Sequence, residues 1–145
     1  MISVVVTLKP KLSVVATLKP KISVIATLRN LTLAEDQVVE YIAQDNIPIY
    51  TVVTMDGLRA NSATVGHSPK VLGISRTTTA ATFTGEAITE GEIHNPAWTW
   101  TLGQNIYLNG TSLSATPPST GFSKVIGRAL GTTTLLVELE ESYIL

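Results

Sequence analysis

The chain has 145 residues, of which 44% are hydrophobic and only 14% are charged. A typical globular protein is roughly 25% charged, so we expect a partner chain to cover part of the surface. The net charge of −1 provides no basic field for nucleic acid, and the absence of cysteine excludes disulfides and thiolate metal sites. Lysines interrupt the apolar N-terminal stretch, so we expect no membrane-spanning helix. A signal peptide would need a basic region before its apolar stretch, and only Met1 precedes Ile2, so we do not expect one.

The first thirty residues contain three copies of a ten-residue unit, ISVVVTLKP, LSVVATLKP and ISVIATLR. Apolar residues alternate along each unit with a Ser-apolar-Thr face, and β-branched residues dominate, which together predict three strands. The predicted all-apolar face consists of Ile2, Val4, Val6, Leu8, Leu12, Val14, Ala16, Leu18, Ile22, Val24, Ala26 and Leu28.

The connectors between the units are Lys9-Pro10-Lys11 and Lys19-Pro20-Lys21. A two-residue hairpin turn requires positive φ at its centre, which proline cannot adopt, so we expect successive strands not to fold back tightly on one another. Three chains intertwined around a shared axis would bury the apolar face and leave the lysines outside. The repeats at residues 1–31 therefore predict a homotrimeric β-stalk or docking segment. The alternative is a three-stranded meander packed on the downstream domain.

Residues 32–145 predict a separate body domain made of short strands. A capping-box pattern predicts a short helical turn near residues 33–37. The stretch that follows is rich in β formers, so we expect strands at residues 38–43 and 48–55. Asp56-Gly57 and Asn109-Gly110 are dipeptides typical of hairpin turns.

A second, weaker repeat within the body predicts two similar β-meanders. Tyr50 matches Tyr107, Lys70-Val71-Leu72-Gly73 matches Lys124-Val125-Ile126-Gly127, and residues 77–79 match residues 132–134. Short strands at regular spacing, without a helix longer than two turns, predict an all-β sandwich or barrel. Each matching glycine follows an apolar run, which indicates a bulge or strand kink.

The stretch NPAWTWTLGQNIYLNGTSLSATPPSTGFSKVIGRALGTTTLLVEL resembles a β-rich module of tailed-bacteriophage virion proteins. The similarity comprises a Trp-x-Trp pair, a G-x-x-[IVL]-Y-L strand and a T-x-x-P-P turn, followed by a G-F-S-x-x-I-G-x-A-L segment and a final T-T-x-L-L-V strand. It covers roughly residues 38–140. The resemblance implies a trimer that belongs to a tail fibre, a tail-tip or collar fibre, or a capsid-decorating protein.

Two groups of side chains are candidates for binding chemistry. Glu90, Glu92 and His94 alternate, so on one strand they would share a face and could bind a cation, although a solvated strand face is the simpler interpretation. Trp98 and Trp100 could stack on a surface glycan, but large aromatics more often fill a core or a subunit interface. No catalytic motif and no cofactor-binding pattern is present.

These patterns predict a non-enzymatic, homotrimeric structural protein of a bacteriophage particle that has no cofactor. The repeats would form a stalk or attach a fibre or tail appendage to other virion proteins of the tail, collar or capsid. The expected location is the virion, after assembly in the cytoplasm of the bacterial host. The alternatives are a capsid-decorating protein and a carbohydrate-binding module that recognises a host-cell glycan.

Overall fold

The computed structural model describes residues 4–8, 12–16 and 36–145 of the chain. The chain divides into two compact units, Met1–Glu35 and Asp36–Leu145. Within the described residues no helix is long and apolar enough to cross a membrane.

The first unit contains two strands that pair with each other. Strand β1 (Val4–Leu8) and strand β2 (Leu12–Ala16) are antiparallel, and Leu8 lies opposite Leu12. This pairing corrects the expectation that successive repeats do not fold back on one another. The turn argument applies to two-residue loops, whereas three residues separate Leu8 from Leu12, and longer hairpin loops do not require positive φ at both central positions. The third repeat lies outside the described residues.

The regular secondary structure of the second unit consists almost entirely of short strands, which confirms the all-β prediction. Its strands are β3 (Gln37–Ile42), β4 (Val52–Thr54), β5 (Val71–Ser75), β6 (Thr84–His94), β7 (Asn105–Asn109), β8 (Ser112–Ser114), β9 (Phe122–Ser123), β10 (Val125–Ala129), β11 (Thr134–Glu138) and β12 (Tyr143–Ile144). A single 3-10 helix, Val65–Lys70, accompanies them in the described residues.

Eight of these strands form one barrel-like sheet. Its order is β4-β5-β6-β11-β10-β7-β8, and β3 pairs with β6 beside this path. The segment around Ser62 nearly closes the sheet: its backbone N–H donates to Gly110 O, its carbonyl accepts from Phe122 N, and Ala60 N donates to Val52 O. The small separate sheet consists of β9 and β12.

The two parts of the sheet have the same order of pairing. Strand β5 lies between β4 and β6, and β10 lies between β7 and β11, so each part is a three-stranded antiparallel arrangement. Gly73 and Gly127 occupy the middle strands. A Cβ on Gly73 would overlap the carbonyl oxygen of Ile88, and one on Gly127 would overlap that of Leu136.

The core has two parts because adjacent residues of a strand point to opposite faces of the sheet. Val52 and Ile88 belong to the main cluster inside the barrel, whereas their neighbours Val53 and Ala87 belong to a smaller cluster on the outer face. The main cluster consists of Val52, Ala60, Ile74, Ile88, Ile93, Ile106, Leu108, Phe122, Ile126, Leu135 and Val137. The buried Tyr41 of β3 also belongs to the smaller cluster.

Strand β4 is shorter than predicted, and β3 begins one residue earlier than predicted. Residues 48–51 do not form a strand, because Tyr50 has a φ of 64° and a strand requires negative φ. Both predicted turns, at Asp56-Gly57 and at Asn109-Gly110, are confirmed. Gly57 and Gly110 both have positive φ, and Asn109 lies opposite Ser112 in the β7–β8 hairpin.

Candidate functional site

The two tryptophans lie in the connection after β6. Trp98 N donates to the carbonyl of Asn95 within this connection. Trp100 N donates to the carbonyl of Thr132, which holds Trp100 against the β10–β11 turn. Neither residue belongs to a strand. The rings nevertheless contact each other, with centroids 5.8 Å apart.

Sequence analysis missed the third ring of this aromatic cluster. The Tyr50 ring lies 5.4 Å from that of Trp98 at an interplanar angle of 60°, within the range of attractive aromatic pairs. The left-handed backbone at Tyr50 is uncommon for an aromatic residue. No local signal predicts this contact, since 48 positions separate Tyr50 from Trp98 in the sequence.

The aromatic cluster packs against the core. Tyr50, Trp98 and Trp100 are all partly buried and pack against the main core cluster. The Trp100 Nε1 is buried without a hydrogen-bond partner in the described part of the chain.

Glu90, Glu92 and His94 do share an exposed face of β6. His94 Nδ1 lies 3.4 Å from the hydroxyl of Thr134, its cross-strand neighbour. Among residues 36–145 and the two short N-terminal strands, no group of three or more His, Asp or Glu side chains is arranged to hold a metal ion. All three side chains are exposed to solvent on this strand.

Of the predicted stalk residues, six lie on the described backbone. The register of β1 and β2 pairs members of this set with each other: Val4 with Ala16, Val6 with Val14, and Leu8 with Leu12. The other six, Ile2, Leu18, Ile22, Val24, Ala26 and Leu28, lie outside the described residues.

Large apolar side chains are exposed at several places on the body. Phe83, Ile42 and Met55 are 66%, 60% and 59% exposed. Leu102 lies beside β10, since Gly103 N donates to Ala129 O. The complete exposed set in the described body is Val38, Val39, Ile42, Ile49, Met55, Val65, Phe83, Leu102, Leu130, Tyr143, Ile144 and Leu145.

A cleft of about 590 Å³ lies beside β3. Ile42 and Met55 provide apolar walls, Glu40 and Asp56 provide carboxylates, and Thr84 of β6 lines both this cleft and a second one. The second cleft has a volume of about 410 Å³ and is lined by Thr77, Thr78, Thr79, Ala80, Phe83 and Thr84. Sequence analysis identified neither cleft.

Hydrogen bonds fix the backbone behind the second cleft. The buried Tyr41 hydroxyl donates to Ser75 Oγ over 3.2 Å, and Ser75 Oγ donates to the carbonyl of Thr77 over 2.5 Å. Thr82 has a φ of 72° and its N–H donates to Ala43 O. The loop before β6 is thus held against the segment after β3, and Phe83 projects from it into solvent.

One ionisable group in the body is clearly perturbed. Burial lowers the pKa of Lys124 below the ordinary lysine value of 10.5, and the nearby charge of Glu141 opposes this effect in part. Its Nζ donates to the carbonyl of Glu140 over 2.6 Å. The contact joins the residue between β9 and β10 to the C-terminal segment, which indicates a structural role.

Comparison with protein-family models, with curated proteins and with solved structures found no match to this chain.

Proposed function

We propose that this chain is a non-enzymatic structural protein of a bacteriophage particle, a homotrimeric subunit of a fibre or tail appendage. The observation that carries the proposal is the exposed apolar surface of the body. Twelve large hydrophobic residues are exposed on a domain of 110 residues, and the chain has few charges to keep such a surface in water. Exposed apolar residues that lie together are typical of proteins that associate, and Ile42 and Met55 line one cleft.

The N-terminal repeats support the same proposal. Their strand pattern occurs three times within thirty residues, and a two-stranded hairpin such as β1–β2 is marginally stable on its own in water. Association of the repeats from several chains would bury the apolar residues that the register of β1 and β2 places opposite one another. The resemblance of residues 38–140 to virion modules supplies the biological setting.

Sedimentation equilibrium is the direct test of association. We expect a single species with three times the chain mass of 15.5 kDa that persists on dilution and dissociates only on unfolding. A stable, folded monomer would contradict the proposal. Particle membership is tested separately, by electron microscopy of virions that carry a gold label at the C-terminus of the chain. Label on the capsid rather than on a tail or collar fibre would favour the capsid-decorating alternative.

A further inference from the structure

Strand β3 has a free edge and an exposed apolar surface. Among the described residues it pairs only with β6, and Val38, Val39 and Ile42 are exposed along its length. An unpaired edge presents backbone N–H and C=O groups to which another strand can add. The side chains on this edge favour a partner strand that is itself apolar.

The cleft beside β3 favours a cationic side chain with an apolar stem. Ile42 and Met55 can contact methylene groups, while the Glu40 and Asp56 carboxylates lie at the same cleft. A lysine combines these features, because its four-carbon stem packs on apolar surface while its ammonium group reaches carboxylates or water.

A further carboxylate beside Glu40 adds to the negative charge near the cleft. Glu40 lies directly opposite Glu86 on neighbouring strands, and both are exposed. Like charges directly opposite in a sheet are destabilising. The two lysines of the body have other contacts: Lys70 Nζ lies 2.6 Å from Asp56 Oδ2, and Lys124 contacts the Glu140 carbonyl.

The N-terminal unit carries the complementary charge. Residues 1–35 contain five basic residues and one acidic residue, a net charge of +4, whereas residues 36–145 contain five basic and ten acidic residues, a net charge of −5. Four of the six lysines flank the repeat strands, at Lys9, Lys11, Lys19 and Lys21. The repeats therefore combine an apolar strand with lysines at its ends.

We propose that the β3 surface, defined by Val38, Glu40, Ile42, Met55 and Asp56, binds a lysine-bearing repeat of a second copy of this chain. The repeat strand adds to the edge of β3, and a lysine enters the cleft between Glu40 and Asp56. This inference rests on the self-association that is part of the proposed function, and it assigns one surface to that association.

Charge reversal in the full-length chain tests the surface. Glu40→Lys combined with Glu86→Lys should weaken association about tenfold or more at low salt, whereas Asp45→Lys with Glu138→Lys changes the net charge equally at other sites and should not. Reversing the four repeat lysines to glutamate should also weaken association, and combining both reversals in one chain should restore it. If the chain associates but all variants behave alike, the inference is wrong while the proposed function stands; if the wild-type chain is monomeric, both are wrong.

Zero-length carbodiimide crosslinking identifies the contact without requiring dissociation. Oligomers refolded from mixed ¹⁴N and ¹⁵N chains should yield crosslinks between Glu40 or Asp56 and a repeat lysine that contain both isotopes. The Lys70–Asp56 pair, 2.6 Å apart, is the internal positive control and should carry one isotope. Repeat-lysine crosslinks that carry one isotope only would show that the segment binds its own chain, and their absence would show that it binds elsewhere; either result overturns the proposal.

Discussion

Glu90 of β6 and Glu138 of β11 lie directly opposite one another, both exposed to solvent. Two carboxylates at this position repel each other, and cross-strand pairs of opposite charge contribute roughly 0.2–1 kcal/mol. We therefore expect Glu138→Lys to raise the free energy of unfolding by about 0.5–1 kcal/mol at low salt. Urea unfolding at low and at high salt measures this effect.

Asp45→Lys is the matched control for that change. Asp45 is exposed outside any strand, so its replacement alters the net charge equally without removing a cross-strand repulsion. Equal stabilisation by the two variants would mean that overall charge, rather than the Glu90–Glu138 pair, decides the result.

The two matching glycines should both be intolerant of a side chain. We expect Gly73→Ala and Gly127→Ala each to lower the free energy of unfolding by about 2–4 kcal/mol, because the new Cβ would overlap a carbonyl oxygen of the neighbouring strand. Gly66→Ala and Gly131→Ala are the controls, since nothing lies within 4 Å of a Cβ at either position. Thermal melting of the four variants measures the difference, and similar melting temperatures for all four would contradict the assignment.

The aromatic cluster predicts a stability effect for Trp98. Trp98→Ala should lower the free energy of unfolding by about 2–4 kcal/mol, because the ring packs on the core and on Tyr50. Trp100→Phe should cost about 1 kcal/mol or less, since it removes a buried N–H that has no partner among the described residues. Loss of glycan binding by Trp98→Ala with unchanged chemical stability would instead support the surface-glycan hypothesis.

Lys124 predicts a pH dependence of stability. Because burial lowers its pKa in the folded state, the unfolded chain binds the proton more tightly, and the free energy of unfolding should rise with pH in the range just below 10.5. Lys124→Met should remove this part of the slope, and Lys124→Arg should remove it while retaining a positive charge. Urea unfolding at a series of pH values measures this slope of the free energy of unfolding. An unchanged slope in Lys124→Met would assign the dependence to other groups.

The repeat pattern predicts different effects for its two faces. Val14→Asp should disrupt association of the N-terminal unit, because burying unpaired carboxylates of several chains costs ~3 kcal/mol or more per site. Thr17→Lys should be tolerated better, since Thr17 belongs to the alternate face near a lysine-rich connector. Thermal melting with oligomer mass read in parallel compares the two variants. Equal damage would mean that the segment does not have one buried and one open face.

Secondary structure was predictable wherever short-range preferences act alone. Alternation of β-branched residues was sufficient to predict β1 and β2, and a stretch rich in β formers predicted β3. The Asn109-Gly110 dipeptide predicted the β7–β8 hairpin, because the positive φ of Gly110 is a local property of the backbone. The weak internal repeat singled out Gly73 and Gly127 as special backbone positions, and a Cβ at either one would overlap a carbonyl oxygen of the neighbouring strand.

The β1–β2 pairing shows where local reasoning was insufficient. Proline in the connector argued against a hairpin, yet loop length decides which turns are available, and the antiparallel register from Val4↔Ala16 to Leu8↔Leu12 could not be deduced from the connector's composition. Register depends on pairing energies summed over both strands, of which the turn is only one part.

Contacts between distant parts of the chain were decided only by the tertiary structure. Ser62 bridges Gly110 and Phe122 to bring the barrel near closure, Tyr50 meets Trp98, and the cleft beside β3 brings Glu40 and Asp56 together. The sequence determined an all-β, charge-poor chain whose repeats carry most of its lysines. The tertiary structure decided which side chains remain exposed, because burial depends on the packing of residues dozens of positions apart, which no local pattern encodes.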